Sequence, residues 1–452
     1  MAKITLAQAA AWCGGWVDPK YADVTFLGAN NDSRKIQPGQ LFLALQGARD
    51  GHDFIPMAME KGAAAVLCSR PQENVPAIVV DDVRIALGQI AAGERQRIGM
   101  KVVGVTGSVG KSTTKEMIAC VLSAAYRVAK TPANHNNDIG MPMAVLSMPE
   151  DAEVAVLEMG MNHFGEISYL TNIAKPDVAV IINIGTMHIE HLGSQQGILK
   201  AKLEILEGLQ PGGQLMLYGD DSHLWSVRDS LPVKPVYFGY KNPENDIMAE
   251  RVNIGENVEF LAKWNEGIMN ISIPVEGEHY VSDAMAAVSV GLAMGVRPEK
   301  IVDALAAFRN MEGRQEIFEA KGYTIIKDCY NAGPESMAAA LAVLGNRAGR
   351  KIAVLGDMLE LGVCAPAEHY KVGRIVAEKA DALLAYGPNS VRMVSGAVTG
   401  GMPEGMTGAF TDRDALVAAL KRMTRPGDVL LFKGSHGMHM EIALEKFLED
   451  KT

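Results

Sequence analysis

Several features of special environments are missing from this sequence. It holds five cysteines in 452 residues (Cys13, Cys68, Cys120, Cys329 and Cys364), widely spaced and odd in number. No Cys-x-x-Cys pair or Cys/His cluster has zinc spacing, so reduced thiols in a cytoplasmic protein are expected, not a disulfide scaffold or a zinc module. No run approaches ~18 uncharged apolar residues, so no transmembrane helix is predicted and no membrane insertion is expected. The opening stretch Met1–Gln8 has one lysine and an apolar segment broken by Gln8, which is not a signal-peptide pattern. Basic charge is in deficit: 43 Lys+Arg face 53 Asp+Glu, a net charge of −10. That argues against a nucleic-acid or anionic-membrane partner, although local cations and backbone amides can still hold a phosphorylated substrate. There is no fixed-period repeat and no low-complexity tract, so solenoids are excluded.

The material present is that of a globular chain, 48% hydrophobic and 21% charged, able to bury sizeable cores. At ~150 residues per domain the length suggests about three domains. The first ~80 residues read as a small α/β unit, with strands at Gln40-Leu-Phe-Leu-Ala-Leu, Ala65-Val-Leu-Cys and Ala77-Ile-Val-Val-Asp and a helix from Phe54 to Gly62. A helical segment, Arg84 to Ile98, leads to the strand Lys101-Val-Val-Gly-Val-Thr. Val154-Ala-Val-Leu-Glu and Val178-Ala-Val-Ile-Ile-Asn are continuous apolar runs of the kind buried on both faces of a parallel sheet. Residues 248–275 alternate more, and a helix follows from about Ser282 to Gly295. Beyond Phe308, strands at Tyr323, Lys351, Ala380 and Asp428 alternate with helical stretches, suggesting a second doubly wound domain. The expectation is an α/β protein of three modules, at 1–82, 83–310 and 311–452.

Thr106-Gly107-Ser108-Val109-Gly110-Lys111-Ser112-Thr113 follows a strand and opens a helix. Glycines let backbone N–H groups turn toward phosphate oxygens, and the helix N-terminus adds partial positive charge. Lys111 can reach the terminal phosphates and Ser112 can ligate Mg²⁺. A strict Walker pattern wants glycine where this chain has Val105, so the segment is a P-loop variant. It predicts nucleotide binding.

A P-loop needs a second group to hold metal, usually an acid ending a neighbouring buried strand, and Glu158 fits. His188, in Asn183-Ile-Gly-Thr-Met-His188-Ile-Glu-His191, follows the next strand; the residues alone leave a metal, phosphate or structural role open. Lys200 and Lys202 lie on an amphipathic helix, where a surface lysine is the default. Asn134-His-Asn136-Asn137-Asp138-Ile-Gly140 is dense in hydrogen-bonding groups but reads equally as a turn.

Taken in order, these segments resemble the Mur ligases, ATP-dependent amide-bond-forming enzymes of peptidoglycan precursor synthesis. The shared signature is Thr106-Gly-Ser-Val-Gly-Lys111-Ser with Glu158, His188 and Ala201-Lys202. Four further segments resemble the branch that adds D-alanyl-D-alanine: Asn136-Asn137-Asp138-Ile-Gly140, Glu158-Met-Gly-Met-Asn162-His-Phe-Gly-Glu166-Ile, Asp328-Cys-Tyr330-Asn331-Ala and Val354-Leu-Gly-Asp357-Met-Leu-Glu360-Leu-Gly362. The resemblance spans essentially the whole chain.

It implies a small N-terminal α/β domain holding the UDP end of the substrate, with Ser33, Arg34, Gly47 and His52 at the contact positions. It implies a central P-loop ATPase-like parallel-sheet domain binding ATP and Mg²⁺, with Glu158, His188 and a carbamoylated Lys202 facing metal beside Ser112. It implies a Rossmann-like C-terminal domain that turns Arg314 and Asp328 to ATP and receives the dipeptide near Asn331, Ser336 and the Gly356–Gly362 loop; Asn136, Asn137 and Asp138 join the substrate set. The expected enzyme is a monomer joining UDP-MurNAc-tripeptide to D-alanyl-D-alanine. The family's Gly-x-His-Asn-x-x-Asn-Ala here reads Gly277-Glu-His279-Tyr280-Val-Ser-Asp283-Ala, its Tyr-Asn-Ala-Asn ends in Gly333, and its Lys-Gly-Ser-Arg ends in His436. The near alternative is a Mur or folylpolyglutamate-type ligase adding a single amino acid; no Asp-Asn-Pro-Arg segment of the diaminopimelate-adding member is present. More distant alternatives are a P-loop switch or motor and a binding protein with a degenerate site.

Overall fold

A computed structural model describes residues 3–449; Met1 and Ala2, at the head of the stretch read for a leader, and Asp450–Thr452 lie outside the described residues. The N-terminal part carries a five-stranded sheet in the order 16–17, 77–79, 65–68, 41–43, 29–30, parallel except at its first pair, and a short pairing of Ile4–Thr5 with Thr25–Phe26. The expected strand at 40–45 is confined to Leu41–Leu43, because the chain then turns through Leu45 and Gly51 instead of continuing the ladder.

A nine-stranded sheet follows. Its parallel portion runs 247–254, 236–239, 214–218, 178–181, 101–106, 154–158, 128–130, and the strands 258–264 and 267–273 extend it as an antiparallel meander. Strand Lys101–Thr106 has a later parallel strand on each side, so the chain leaves it in both directions and a crevice opens beyond its carboxyl end. Registers put Glu158 opposite Val105 and Ile181 opposite Thr106, which brings the phosphate-type loop, Glu158 and the segment after Ile181 to one edge. The apolar runs are buried on both faces as their pattern predicted: Ala155 and Leu157 join one core, Val154 and Val156 the other. The outer strands alternate buried and exposed positions, as half-buried strands do.

The C-terminal sheet has the order 316–320, 323–328, 429–433, 351–356, 382–386, 407–410, parallel after its first hairpin, with an apolar core on each face. Its strand ends point Asp328, Lys433 and the loop after Gly356 toward the crevice of the central sheet. The helix expected from Ser282 begins earlier, at His279, so Tyr280 and Asp283 are helical and buried against the helix Lys111–Ser123. No helix among the described residues is long and apolar enough to cross a membrane.

Candidate active site

A cavity of about 560 Å³ lies between the central and C-terminal sheets. The loop Ser108–Thr113 forms its floor, and Gly110, at φ +83°, makes the left-handed turn that starts helix Lys111–Ser123 and aims its first amides inward. Asn183, at the end of the neighbouring strand, holds this loop in shape. Its Oδ1 accepts from the Ser108 and Val109 amides (2.9 and 3.0 Å) and its Nδ2 donates to Val109 O. Lys111 Nζ folds back onto Gly107 O and Ser108 O, at 2.8 and 3.2 Å. Burial pushes its pKa down and so does Arg314, while Glu158 acts the other way.

Glu158 is the hub. One carboxylate oxygen accepts from Ser112 Oγ at 2.8 Å, and the other from Asn136 Nδ2 at 2.8 Å. Arg314 reaches across from the C-terminal half to donate to Ser112 Oγ at 2.9 Å, with its guanidinium 3.8 Å from the centre of the Tyr330 ring. Beneath Glu158 lies Lys115, fully buried, donating to Thr131 O at 2.8 Å and lying 3.7 Å from the carboxylate. The sequence reading missed Lys115 and Asn183. Lys115 carried a usable signal, since it shares a helical stripe with Ile118 and Leu122, where a lysine must be paired if buried.

His188 lines the cavity in a left-handed conformation, φ +64°, with Nδ1 2.8 Å from Glu360 Oε2 of the C-terminal half, though not aligned as a hydrogen bond. The histidine holds Glu360 below its ordinary pKa. Glu335, at the start of helix Pro334–Asn346, accepts from the Thr186 amide and hydroxyl, a second clasp between the two halves. Asp328 accepts from Lys433 Nζ at 2.6 Å, which also donates to Asn331 O. Burial holds the His279 imidazole down at about 4 and raises the Asp283 carboxyl to about 7.

Lys202 departs from its default reading. It is 2% exposed, and the charge acting on it is that of Lys111, so burial and like-charge repulsion both drive its pKa well below the ordinary value. A lysine in that position is held neutral or must change its chemistry. It lies outside the cavity wall, as do Thr106 and Gly107 at the root of the loop. Asn137, Asn331 and Ser336 line the wall, whereas Asp138 turns away to pair with Arg84.

Ser33, Arg34, Gly47 and His52 belong to the N-terminal sheet unit and do not border this cavity. Ser33 is buried with its hydroxyl on Met57 Sδ, and Arg34 is exposed in a two-point pairing with Asp32. His52 has both ring nitrogens engaged: Nδ1 meets Asp50 at 2.6 Å and Nε2 accepts from the Ser69 amide. It orders its own loop.

Among the described residues no group of three or more His, Cys, Asp or Glu side chains is placed to hold a metal ion. The donors that do meet, the Ser112 hydroxyl and the Glu158 carboxylate, are hard oxygens. They suit Mg²⁺, an ion that takes few protein ligands and completes its shell with water and phosphate. What the arrangement can do is hold a polyphosphate against one domain while a second domain brings Arg314 to its terminal end.

Comparison with known proteins places the whole chain in one family. The family models "Mur ligase family, catalytic domain", "Mur ligase middle domain" and "Mur ligase, glutamate ligase domain" match residues 23–95, 105–291 and 313–436. The UDP-N-acetylmuramoyl-tripeptide–D-alanyl-D-alanine ligase of Bacillus subtilis (strain 168) is 40% identical over 447 residues, 96% of each chain. This chain belongs to the Mur ligase family. Its fold is the three-domain architecture of that family: the crystal structure of MurF from Acinetobacter baumannii matches with a TM-score of 0.91 at 33% identity over all of both chains. MurF ligase from Thermotoga maritima, solved in complex with ADP, matches with a TM-score of 0.81 at 28% identity over 93% of this chain and 97% of that one.

Proposed function

We propose that this Mur ligase joins D-alanyl-D-alanine to UDP-N-acetylmuramoyl-tripeptide at the expense of ATP, in peptidoglycan precursor synthesis in the cytoplasm. One observation carries the reading: Ser112 Oγ is held between Glu158 of the central domain and Arg314 of the C-terminal domain, so two domains meet over the end of a P-loop. The full-length match to D-alanyl-D-alanine ligases favours this reaction over addition of a single amino acid.

The amides of Ser108–Thr113 and Lys111 bind the ATP polyphosphate, and closure of the C-terminal domain sets Arg314 against the phosphate to be transferred. The terminal carboxylate of the tripeptide attacks the γ-phosphorus. A carboxylate O–P bond forms, the bond to the β-phosphate oxygen breaks, and ADP leaves with the electron pair. Two anions approach each other in this step, so Lys111 and Arg314 act mainly by offsetting the charge. The amine of D-alanyl-D-alanine then attacks the acyl carbon, the nitrogen gives up a proton, and phosphate leaves as the amide forms. Asn331 and Ser336 orient the incoming dipeptide, and the N-terminal domain holds UDP near Ser33, Arg34 and Gly47. Enclosure between Thr186–His188 and the Glu335 and Glu360 clasps keeps water from the acyl phosphate.

Mg²⁺ bound by Ser112 and Glu158 would add further charge compensation, and a second ion would be held by His188 and Lys202 as its carbamate. Carbamoylation, in which the Lys202 amine takes up CO₂ and loses a proton, turns a buried amine held neutral by burial and by Lys111 into an anion beside that lysine. The test of the route is oxygen transfer. With ¹⁸O in the tripeptide carboxylate, one labelled oxygen per turnover is expected in the released phosphate; unlabelled phosphate would mean that water, not the carboxylate, attacks ATP.

A further inference from the structure

The family pattern has asparagine where this chain has Asp283, and the structure puts that carboxyl directly behind the phosphate-binding loop. Asp283 lies in the first turns of helix His279–Ala293 and is 5% exposed. Its Oδ1 accepts from Thr114 Oγ1 at 2.8 Å, and a Cβ added to Gly110 would come within 2.8 Å of the same oxygen. The residue therefore braces the turn whose amides face the polyphosphate. No cation forms an ion pair with it among the described residues. A carboxylate buried without a cation costs several kcal/mol, which it escapes by taking a proton.

We propose that Asp283 carries a proton when nucleotide is bound, so that nucleotide binding to this chain is coupled to proton uptake. An asparagine at this position would keep the hydrogen bond to Thr114, through its amide oxygen, without the coupling.

The surroundings bear this out from each side. Behind the carboxyl, on its own helix, stands Tyr280, neutral because burial raises its pKa and hydrogen-bonded to Asn310. In front are Thr114 and Gly110 of the loop and helix, with Ile182, just past the adjacent strand, packed on Gly110, none of them charged. Lys111, next to Gly110, is tuned by burial, Glu158 and Arg314. Arg314 is the charged group that favours the ionised form of Asp283, and its pull is outweighed by burial, leaving the carboxyl at about 7. A polyphosphate placed over Gly110 adds negative charge on the open side and moves Arg314 toward the phosphate, so both changes raise the proton affinity further. The sign follows: nucleotide affinity is greatest where Asp283 is already protonated and weakens as pH rises above about 7, by at most about tenfold per pH unit.

The inference rests on reading this loop as the nucleotide site, and one experiment separates the two. Calorimetric titration of the whole protein with Mg-ADP is run at about pH 6 and about pH 8 in two buffers of different ionisation enthalpy, for wild type and Asp283→Asn. The wild type is expected to take up more protons per ADP than the variant at the higher pH, by a few tenths to about one, and to lose affinity relative to it. Taking the difference removes the protons that belong to ADP or to Lys111. Equal proton counts and parallel affinity profiles in the two proteins would overturn the role of Asp283 while leaving the site intact. Absence of ADP binding to the wild type at either pH would overturn the site itself. Asp283→Ala, which removes the Thr114 contact as well, should weaken binding at both pH values and so report the bracing function apart from the proton.

Discussion

Replacing Arg314 tests whether the C-terminal domain completes the ATP site. In the structure this side chain does two things: it gives a charged hydrogen bond to Ser112 Oγ at 2.9 Å and stacks 3.8 Å from the Tyr330 ring centre. A hydrogen bond from a charged group contributes about 1.5–3 kcal/mol and a partly desolvated cation–π contact about 0.5–2 kcal/mol. Arg314→Ala should therefore lose about 2–5 kcal/mol, or roughly 30- to 5000-fold in kcat/KM for ATP, if both contacts persist into the transition state. Arg314→Lys keeps the charge but not the planar fork or the stack, and should fall between. The assay is steady-state phosphate release with both acceptors present, accompanied by thermal unfolding. Truncation strands no buried partner, because Ser112 still donates to Glu158, so Tm should move little. An Arg314→Ala enzyme within about threefold of wild type would refute the two-domain site.

Other predictions concern the buried charges. Lys202→Met should abolish most turnover without lowering thermal stability, since it removes an unpaired buried amine; in wild type, CO₂ depletion should lower activity and added bicarbonate restore it, and bicarbonate should not rescue the variant. Glu158→Ala removes one of two carboxylates beside the buried Lys115, Glu116 lying 3.4 Å from the same ammonium, and leaves the Asn136 amide without its acceptor, so it should cost about 1–3 kcal/mol of stability, read by urea unfolding; a loss above about 4 kcal/mol would mean that Glu158 alone balances Lys115. His279 has its folded pKa lowered to about 4 from 6.5, so its contribution to stability is complete above the unfolded value and is lost as pH falls between the two, up to about 3 kcal/mol. His279→Gln should flatten that limb of the stability profile, and an unchanged limb would assign the acid loss to other groups.

Much of the fold was legible because it is made of runs and punctuation. Lys101–Thr106 and Val154–Glu158 are buried parallel strands with the bounds their apolar patterns give, and the glycine-rich turn after the first opens a helix as P-loop chemistry requires. What the pattern could not carry was tertiary. Lys202 reads as a surface lysine on an amphipathic helix, and only packing reveals that it is enclosed beside Lys111. His52, placed at a substrate-contact position by resemblance alone, meets Asp50 and Ser69 through its two ring nitrogens, and the Ser69 contact joins segments that no local spacing pairs. The helix containing Tyr280 starts at His279, three residues before its periodicity becomes visible, and the segment just ahead of it is held at Glu276 by Gln315 and Arg347, contacts from distant positions in the chain. Asn183 and the Glu335 and Glu360 clasps are likewise contacts between distant segments, which no local spacing encodes.

The central claim is that ATP cleavage here is tied to amide formation between two particular acceptors. It is tested most directly by measuring phosphate release from Mg-ATP with UDP-MurNAc-tripeptide and D-alanyl-D-alanine together, with each alone, and with single amino acids in place of the dipeptide. The account predicts release only when both substrates are present, with a product heavier than the tripeptide by one dipeptide less water. Equal turnover with a single amino acid, or sustained release from ATP without any amine acceptor, would contradict it.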